Sequence, residues 1–169
     1  MADDFKDVLA RLPAGVAIVT TRDEHGTPHG MTVSSFCSVS LTPPLVLVCL
    51  ARSSRCFPVF ARAERFAVSI LRAEQTDLAR RFATRLADKF AGGGFAPADD
   101  RAPIVEDALG AVECRTHQRH DAGDHVIVVG EVVDQVLAAA GPPAIYFDRR
   151  FATLDPNPVA AGGGTRGTG

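Results

Sequence analysis

Serine and threonine hydroxyls crowd one stretch of this chain. Between Gly30 and Ser54 the sequence reads Gly-Met-Thr-Val-Ser-Ser-Phe-Cys-Ser-Val-Ser-Leu-Thr-Pro-Pro-Leu-Val-Leu-Val-Cys-Leu-Ala-Arg-Ser-Ser. Thr32, Ser34 and Ser35 lie among the β-formers Val33, Phe36 and Val39, as in a strand and the turn that leaves it. Ser53 and Ser54 follow an unbroken apolar run and suit the cap of a helix start. Hydroxyl-rich strand ends beside a helix N-terminus suit a flat polar ring carrying a phosphate. Ser, Thr and backbone N–H groups would meet the ring, and the helix start would meet the phosphate. The same residues also suit a solvated strand end and plain helix caps. Lys89, beside Phe90 and just ahead of Gly92-Gly93-Gly94, reads on its own as a surface charge. His125 opens a strand after the tight Gly123-Asp124 turn. Cys114, His117, His120 and His125 are ligand types close in sequence, but the odd spacings from Cys114 to His117 and from His117 to His120 along a strand put neighbours on opposite faces, so no metal site is expected.

These residues need elements to hold them. Pro43-Pro44 forces an extended break, and Leu45 to Leu50 is apolar on both faces, as in a buried strand. Gly15 to Thr21 and Gly30 to Phe36 form a hairpin through a turn containing Gly26 and Pro28. Asp3 to Leu12 reads as an amphipathic helix with Phe5, Val8, Leu9 and Leu12 on one face. Ser54 to Arg62 reads as a short helix, Phe66 to Leu71 as a strand and Gln75 to Ala83 as a helix that Thr76 can cap. The glycines at 92–94 make the segment after 87–91 a mobile flap. Ala111 to His120 and His125 to Leu137 are strands, the latter with His125, Ile127, Val129 and Glu131 on one side. A short strand, 144–147, follows Pro142-Pro143, and a disordered tail is expected over 155–169. Short strands joined mostly by hairpin turns argue for an antiparallel barrel rather than a doubly wound sheet.

The chain has 169 residues, 46% hydrophobic, with a net charge of −2. That suits one domain, placed here at 1–154, with a substantial core. No long basic run argues for nucleic acid, and no apolar run approaches a membrane span. The four cysteines show no paired spacing, as expected of a cytoplasmic protein. No Gly-x-Gly-x-x-Gly follows a strand, so a nicotinamide dinucleotide would need another flat partner to lie against.

Several spaced motifs together resemble the flavin reductase family, the reductase components of two-component flavin-dependent monooxygenases. They are Met31-Thr32-Val33-Ser34-Ser35-Phe36, Ser38-Val39-Ser40, Pro43-Pro44-Leu45-Val46-Leu47-Val48-Cys49 and Gly123-Asp124-His125, within a likeness running from Phe5 to Leu154. The resemblance implies a six-stranded antiparallel split β-barrel with a few short flanking helices, homodimeric, with flavin near the subunit interface. It implies FMN, or alternatively FAD, as flavin and NADH or NADPH as hydride donor. Reduced flavin would pass by diffusion to a partner monooxygenase, in the setting of secondary metabolism. It maps the flavin to Thr32, Val33, Ser34, Ser35, Cys49, Leu50, Ala51, Ser53, Ser54, Lys89 and Phe90, with Lys89 at the flavin phosphate and Arg81 and Arg85 as weaker alternatives for that contact. His125 maps to the nicotinamide as the catalytic residue that positions it, and Phe151 to a wall of the nicotinamide pocket. A flavin-binding split-barrel module without turnover, and a pyridoxamine-phosphate-oxidase-like flavin oxidase, are the alternatives.

Overall fold

Alternation of buried and half-buried residues along the apolar strands sets the architecture. In the computed structural model, which describes residues 2–86, 88–97 and 100–154, β5 (Pro44–Ala51) and β8 (His125–Leu137) bury Val46, Val48, Leu50, Val126 and Val128 on one face. His125, Ile127 and Val129 lie half-buried on the other, as their spacing predicts. The expected disordered tail, 155–169, lies outside the described residues, as does Ala87 ahead of the glycines.

The remaining strands are β1 (Ala14–Gly15), β2 (Ala17–Arg22), β3 (Pro28–Val33), β4 (Cys37–Leu41), β6 (Arg65–Ile70), β7 (Gly110–Ala122), β9 (Ile145–Phe147) and β10 (Arg150–Ala152). Seven of the ten strands form one sheet, in the order β3-β2-β6-β7-β8-β5-β4, every pairing antiparallel. The sheet thus has seven strands where six are expected. The hydroxyl-rich run divides: β3 ends at Val33, and Cys37–Leu41 starts a new strand that turns through Thr42-Pro43 onto β5. β1, β9 and β10 make a small second sheet.

The main sheet is rolled. A flat seven-stranded sheet would hold its edge strands about 29 Å apart at ~4.8 Å per strand. β3 and β4 are those edges, yet Ser34, Ser35 and Phe36 alone join them, a link that reaches at most about 14 Å. Ser35 ties this link to β5: its Oγ accepts the Cys49 N–H (3.0 Å) and donates to the Cys49 carbonyl (3.1 Å). The inside of the roll is a core of Ala17, Val19, Met31, Val33, Val48, Leu50, Phe66, Val68, Cys114 and Val128. Each large side chain buried there contributes about 1.5–3 kcal/mol. Gly130 is needed at the crossing of β7 and β8, since a Cβ there would sit 2.4 Å from Phe66 Cζ.

A second core covers the outer face of β2. Val16, Ile18 and Leu71 meet Ala79 and Phe82 of α3 (Thr76–Ala83) and Val105 of the strap that follows residue 100. Buried hydroxyls pin the strap: Thr20 Oγ1 donates to the Pro103 carbonyl, and Ser69 Oγ accepts the Val105 N–H. The helices are short. α2 is only Phe57–Phe60, without a side-chain cap, so the expected helix over 54–62 shrinks to one turn with Pro58 in it. α3 is preceded by a 3-10 turn, Ala73–Gln75, and Gln75 Oε1 rather than Thr76 accepts a backbone N–H there, that of Arg72. α1 (Ala2–Ala10) is amphipathic as expected, but Phe5, Val8, Leu9 and, just past its end, Leu12 are 52–68% exposed. It is held by the Asp148 N–H on the Ala10 carbonyl and by an Arg149–Asp7 ion pair.

Candidate functional site

An open strand edge is the starting point of the site. β3 ends the sheet order, so its side away from β2 has no partner strand. The Gly30 carbonyl points that way, accepting from Lys89 Nζ (3.3 Å) and Cys56 Sγ (3.2 Å). In an antiparallel strand, alternate residues turn both backbone groups to the same side, so Thr32 shares that open edge with Gly30. Glycine is required at 30 because a Cβ would meet Phe82 Cε1 at 2.9 Å and the Val19 carbonyl oxygen at 3.1 Å. Isolated glycine inside a strand is the sequence signal for such an approach, and it was available at Gly30 without being used.

A cleft of about 820 Å³ runs along this edge. One wall is β3 with the residues leading into it, Thr27 to Thr32. The other combines the turn after β5 (Ala51, Ser53, Ser54, Arg55, Cys56) with the segment after α3, from Phe82 to Ala91. Lys89 lines it as well. Its Nζ also donates to the Phe82 carbonyl (2.8 Å), so an ammonium is drawn in over two carbonyl oxygens. Burial holds its pKa below the ordinary lysine value of 10.5, with nearby Cys56 acting the other way.

The expected flavin-site residues divide by what they do here. Ala51, Ser53, Ser54, Lys89, Phe90 and Thr32 line the cleft. Ser54 Oγ accepts the Cys56 N–H (3.3 Å) within a turn, and the helix start it was expected to cap begins only at Phe57. Thr32 Oγ1 is spent on the Ala79 carbonyl (2.6 Å), which docks α3 on β3. Val33 and Leu50 point into the inner core, Cys49 is half-buried and held by Ser35, and Ser34 is exposed. The hydroxyl run is therefore largely engaged in holding the fold, and what it leaves facing the cleft is backbone. Phe90 packs edge-on against Phe82, ring centroids 4.9 Å apart, and on Phe95.

His125 stands at the far end of β5 from the β4 hairpin, in register with Ala51. Ala51 lines the cleft, but His125 itself is not among the cleft's lining residues. Its Nδ1 lies 2.7 Å from Asp124 Oδ1, and this hydrogen bond is the main reason the Asp124 carboxyl lies below the usual carboxylate range. Phe151 is placed elsewhere: it packs on the second core, against Tyr146 and beneath the Arg80 guanidinium (4.9 Å), and does not line the cleft. Arg85 does line it, whereas Arg81 turns to the glycine segment, donating to the Gly93 carbonyl. A Cβ at Gly92 would sit 1.8 Å from Arg81 Nη1, so the segment expected to be a mobile flap is wrapped on that guanidinium. His29, Arg55 and Cys56 are cleft residues the motifs did not single out.

The rolled antiparallel sheet and its open-edged cleft define a β-protein suited to a flat, phosphorylated ring. A family model for the flavin reductase like domain matches residues 9–155. The chain belongs to that family. It is 54% identical over 150 residues to the actinorhodin polyketide dimerase of Streptomyces coelicolor, covering 89% of this chain and 85% of that one. It is 42% identical over 158 residues to the NADH:riboflavin 5'-phosphate oxidoreductase of Streptomyces pristinaespiralis, covering 92% and 90%. Among solved structures, the NADH:FAD oxidoreductase SgcE6 of Streptomyces globisporus C-1027, in complex with NAD and FAD fragments, superposes with a TM-score of 0.86 at 33% identity. The match covers 92% of this chain and 94% of that one. No helix among the described residues is long and apolar enough to cross a membrane.

Proposed function

We propose that this chain is an NADH-dependent flavin reductase that supplies reduced FMN or FAD to a separate monooxygenase. The observation that carries the reading is the cleft on the open edge of β3, with the Lys89 ammonium on its wall over the Gly30 and Phe82 carbonyls. The cleft's groups fit a flavin: the outward backbone N–H groups of Gly30 and Thr32 for a flat polar ring, an ammonium for its phosphate, and Phe82 and Phe90 as apolar walls. A flavin bound there supplies the ring that accepts hydride. The chain's own task is to place two rings face to face, since hydride transfer needs distance and orientation more than proton exchange. Backbone N–H groups at the ring edge favour the negative charge of the reduced form. His125, oriented by Asp124, positions the nicotinamide carboxamide.

The rolled sheet supports a split barrel, and the exposed face Phe5-Val8-Leu9-Leu12 supports a homodimer, with a second copy of α1 or of the exposed strand ends covering it. The relatives named as NADH oxidoreductases support NADH as the donor. Titrating the purified chain with FMN and FAD, then following NADH oxidation with and without each flavin, tests the reading. Tight flavin with no NADH turnover would favour the carrier module instead. The 54% identity to a polyketide dimerase favours a second reading, in which the reduced flavin serves coupling of aromatic polyketides. Product analysis of such a substrate incubated with this chain, NADH and flavin, with and without a monooxygenase, separates supply from direct coupling.

A further inference from the structure

The hairpin tip that carries His125 is thinly supported. β7 pairs with β6 only as far as Arg115, opposite Arg65. From Thr116 to Ala122 its one neighbouring strand is β8. Residues 117–124 are all exposed, and Gly123 and Asp124 turn the chain back into β8, Gly123 with a φ of 64°. His125 sits where both of its ladders end. Ala51 opposite it is the last residue of β5, and Ala122 opposite it is the last of β7. Strand ends of this kind open first. Among the described residues the imidazole bonds only to Asp124, so its place follows that of the tip.

Two arginines stand in for the missing strand. Nearer the base, Arg119 Nη2 donates to the carbonyls of Phe60 (3.3 Å) and Ala63. At the tip, the residue is Arg52. It follows β5 directly, and its N–H donates to the Asp124 carbonyl (2.9 Å). Its guanidinium forms an ion pair with Asp121. Asp121 is in register with Val126, and Val126 with Leu50, so the side chain reaches from the end of β5 across β8 to β7. The guanidinium also lies over the Phe57 ring, 5.6 Å from its centroid, and Phe57 packs against the inner core. Ala51 and Ser53 line the cleft, but Arg52 between them does not. Its side chain is committed to the hairpin.

We infer that Arg52 is a positioning residue for the nicotinamide: by pairing with Asp121 it holds the hairpin tip, and with it His125, in place. The inference rests on the function proposed above, in which His125 meets the nicotinamide. Two rings that exchange hydride must be held in orientation, and Arg52 fixes the group that does so without touching either ring.

The test is steady-state NADH oxidation at saturating FMN, beside FMN titration, for Arg52→Met made in the natural chain and in His125→Ala. In the natural chain KM for NADH should rise about threefold, about 0.7 kcal/mol, the scale of an exposed ion pair. Both kcat and Kd for FMN should stay within twofold. In His125→Ala the same substitution should add nothing, because the group it positions is gone. Asp121→Asn breaks the pair from its exposed side and should give the same two results; it carries the test alone if Arg52→Met does not fold. An unchanged KM in either folded variant, or equal rises in both backgrounds, overturns the assignment while leaving the flavin site standing. So does a loss of FMN binding as large as the rise in KM. His125→Ala without effect on KM for NADH overturns the role of His125 and this inference with it. A natural chain that oxidises no NADH in the presence of flavin overturns the proposed function itself.

Discussion

Lys89 concentrates the chemistry of the cleft at one atom. Its ammonium is partly stripped of water and answers to two carbonyl oxygens, so an arriving phosphate dianion finds a cation already in place. Lys89→Met should weaken FMN about tenfold or more, since a hydrogen bond to a charged group is worth roughly 1.5–3 kcal/mol. Riboflavin, which has no phosphate, should be affected much less; equal losses for both would remove Lys89 from the phosphate. The lowered pKa gives a pH dependence of definite sign. Burial makes the ammonium costly in the free chain, and that cost disappears as pH rises through the lowered value toward 10.5. Phosphate restores the charged form, so FMN binding takes up a proton in that window and weakens as pH rises through it. Fluorescence titrations across alkaline pH should show this fall in the natural chain and a flatter profile in Lys89→Met. His125→Ala should raise KM for NADH several-fold with Kd for FMN changed less than twofold, read by steady-state kinetics beside flavin titration.

Elements explain why some of this was legible in the sequence and some was not. β5 and β8 could be read because a strand's period of two writes its buried face directly into Val46-Val48-Leu50 and Val126-Val128. α3 could be read from the spacing of Leu78, Ala79 and Phe82. The hydroxyl run was harder. Ser35 and Thr32 look like ligands in a one-dimensional reading, but their partners, Cys49 and the Ala79 carbonyl, are fixed only by the rolled sheet and the docking of α3. The break between β3 and β4 has the same origin: the chain must cross from one sheet edge to the other, and local propensity carries no sign of that. Phe151 lies outside the cleft because its neighbours, Tyr146 and Arg80, hold it on the second core, a placement that no local pattern shows. Close approaches, by contrast, follow from the fold and can be tested there. Gly130→Ala would drive a Cβ into Phe66 and should lower stability by about 1–3 kcal/mol, measured by urea unfolding. A neutral result would mean that β7 and β8 cross less tightly than described.

The whole molecule leaves an account of its surface unfinished within one chain. A helix with Phe5, Val8 and Leu9 turned outward is a poor surface for an isolated monomer. Light scattering coupled to gel filtration should give a dimer, and Leu9→Glu with Val8→Glu should shift it toward monomer; a monomeric natural chain would contradict the homodimer. In the proposed function, the rolled sheet, the cleft on its open edge and His125, in register with Ala51, serve to bring two flat cofactors together. The most direct test is NADH consumption by the purified chain, without oxygen, as FMN is added. The arrangement predicts that oxidation starts with added flavin, saturates with it, and bleaches the flavin's colour in equal measure. NADH consumption indifferent to flavin, or flavin that stays oxidised beside excess NADH, would contradict it.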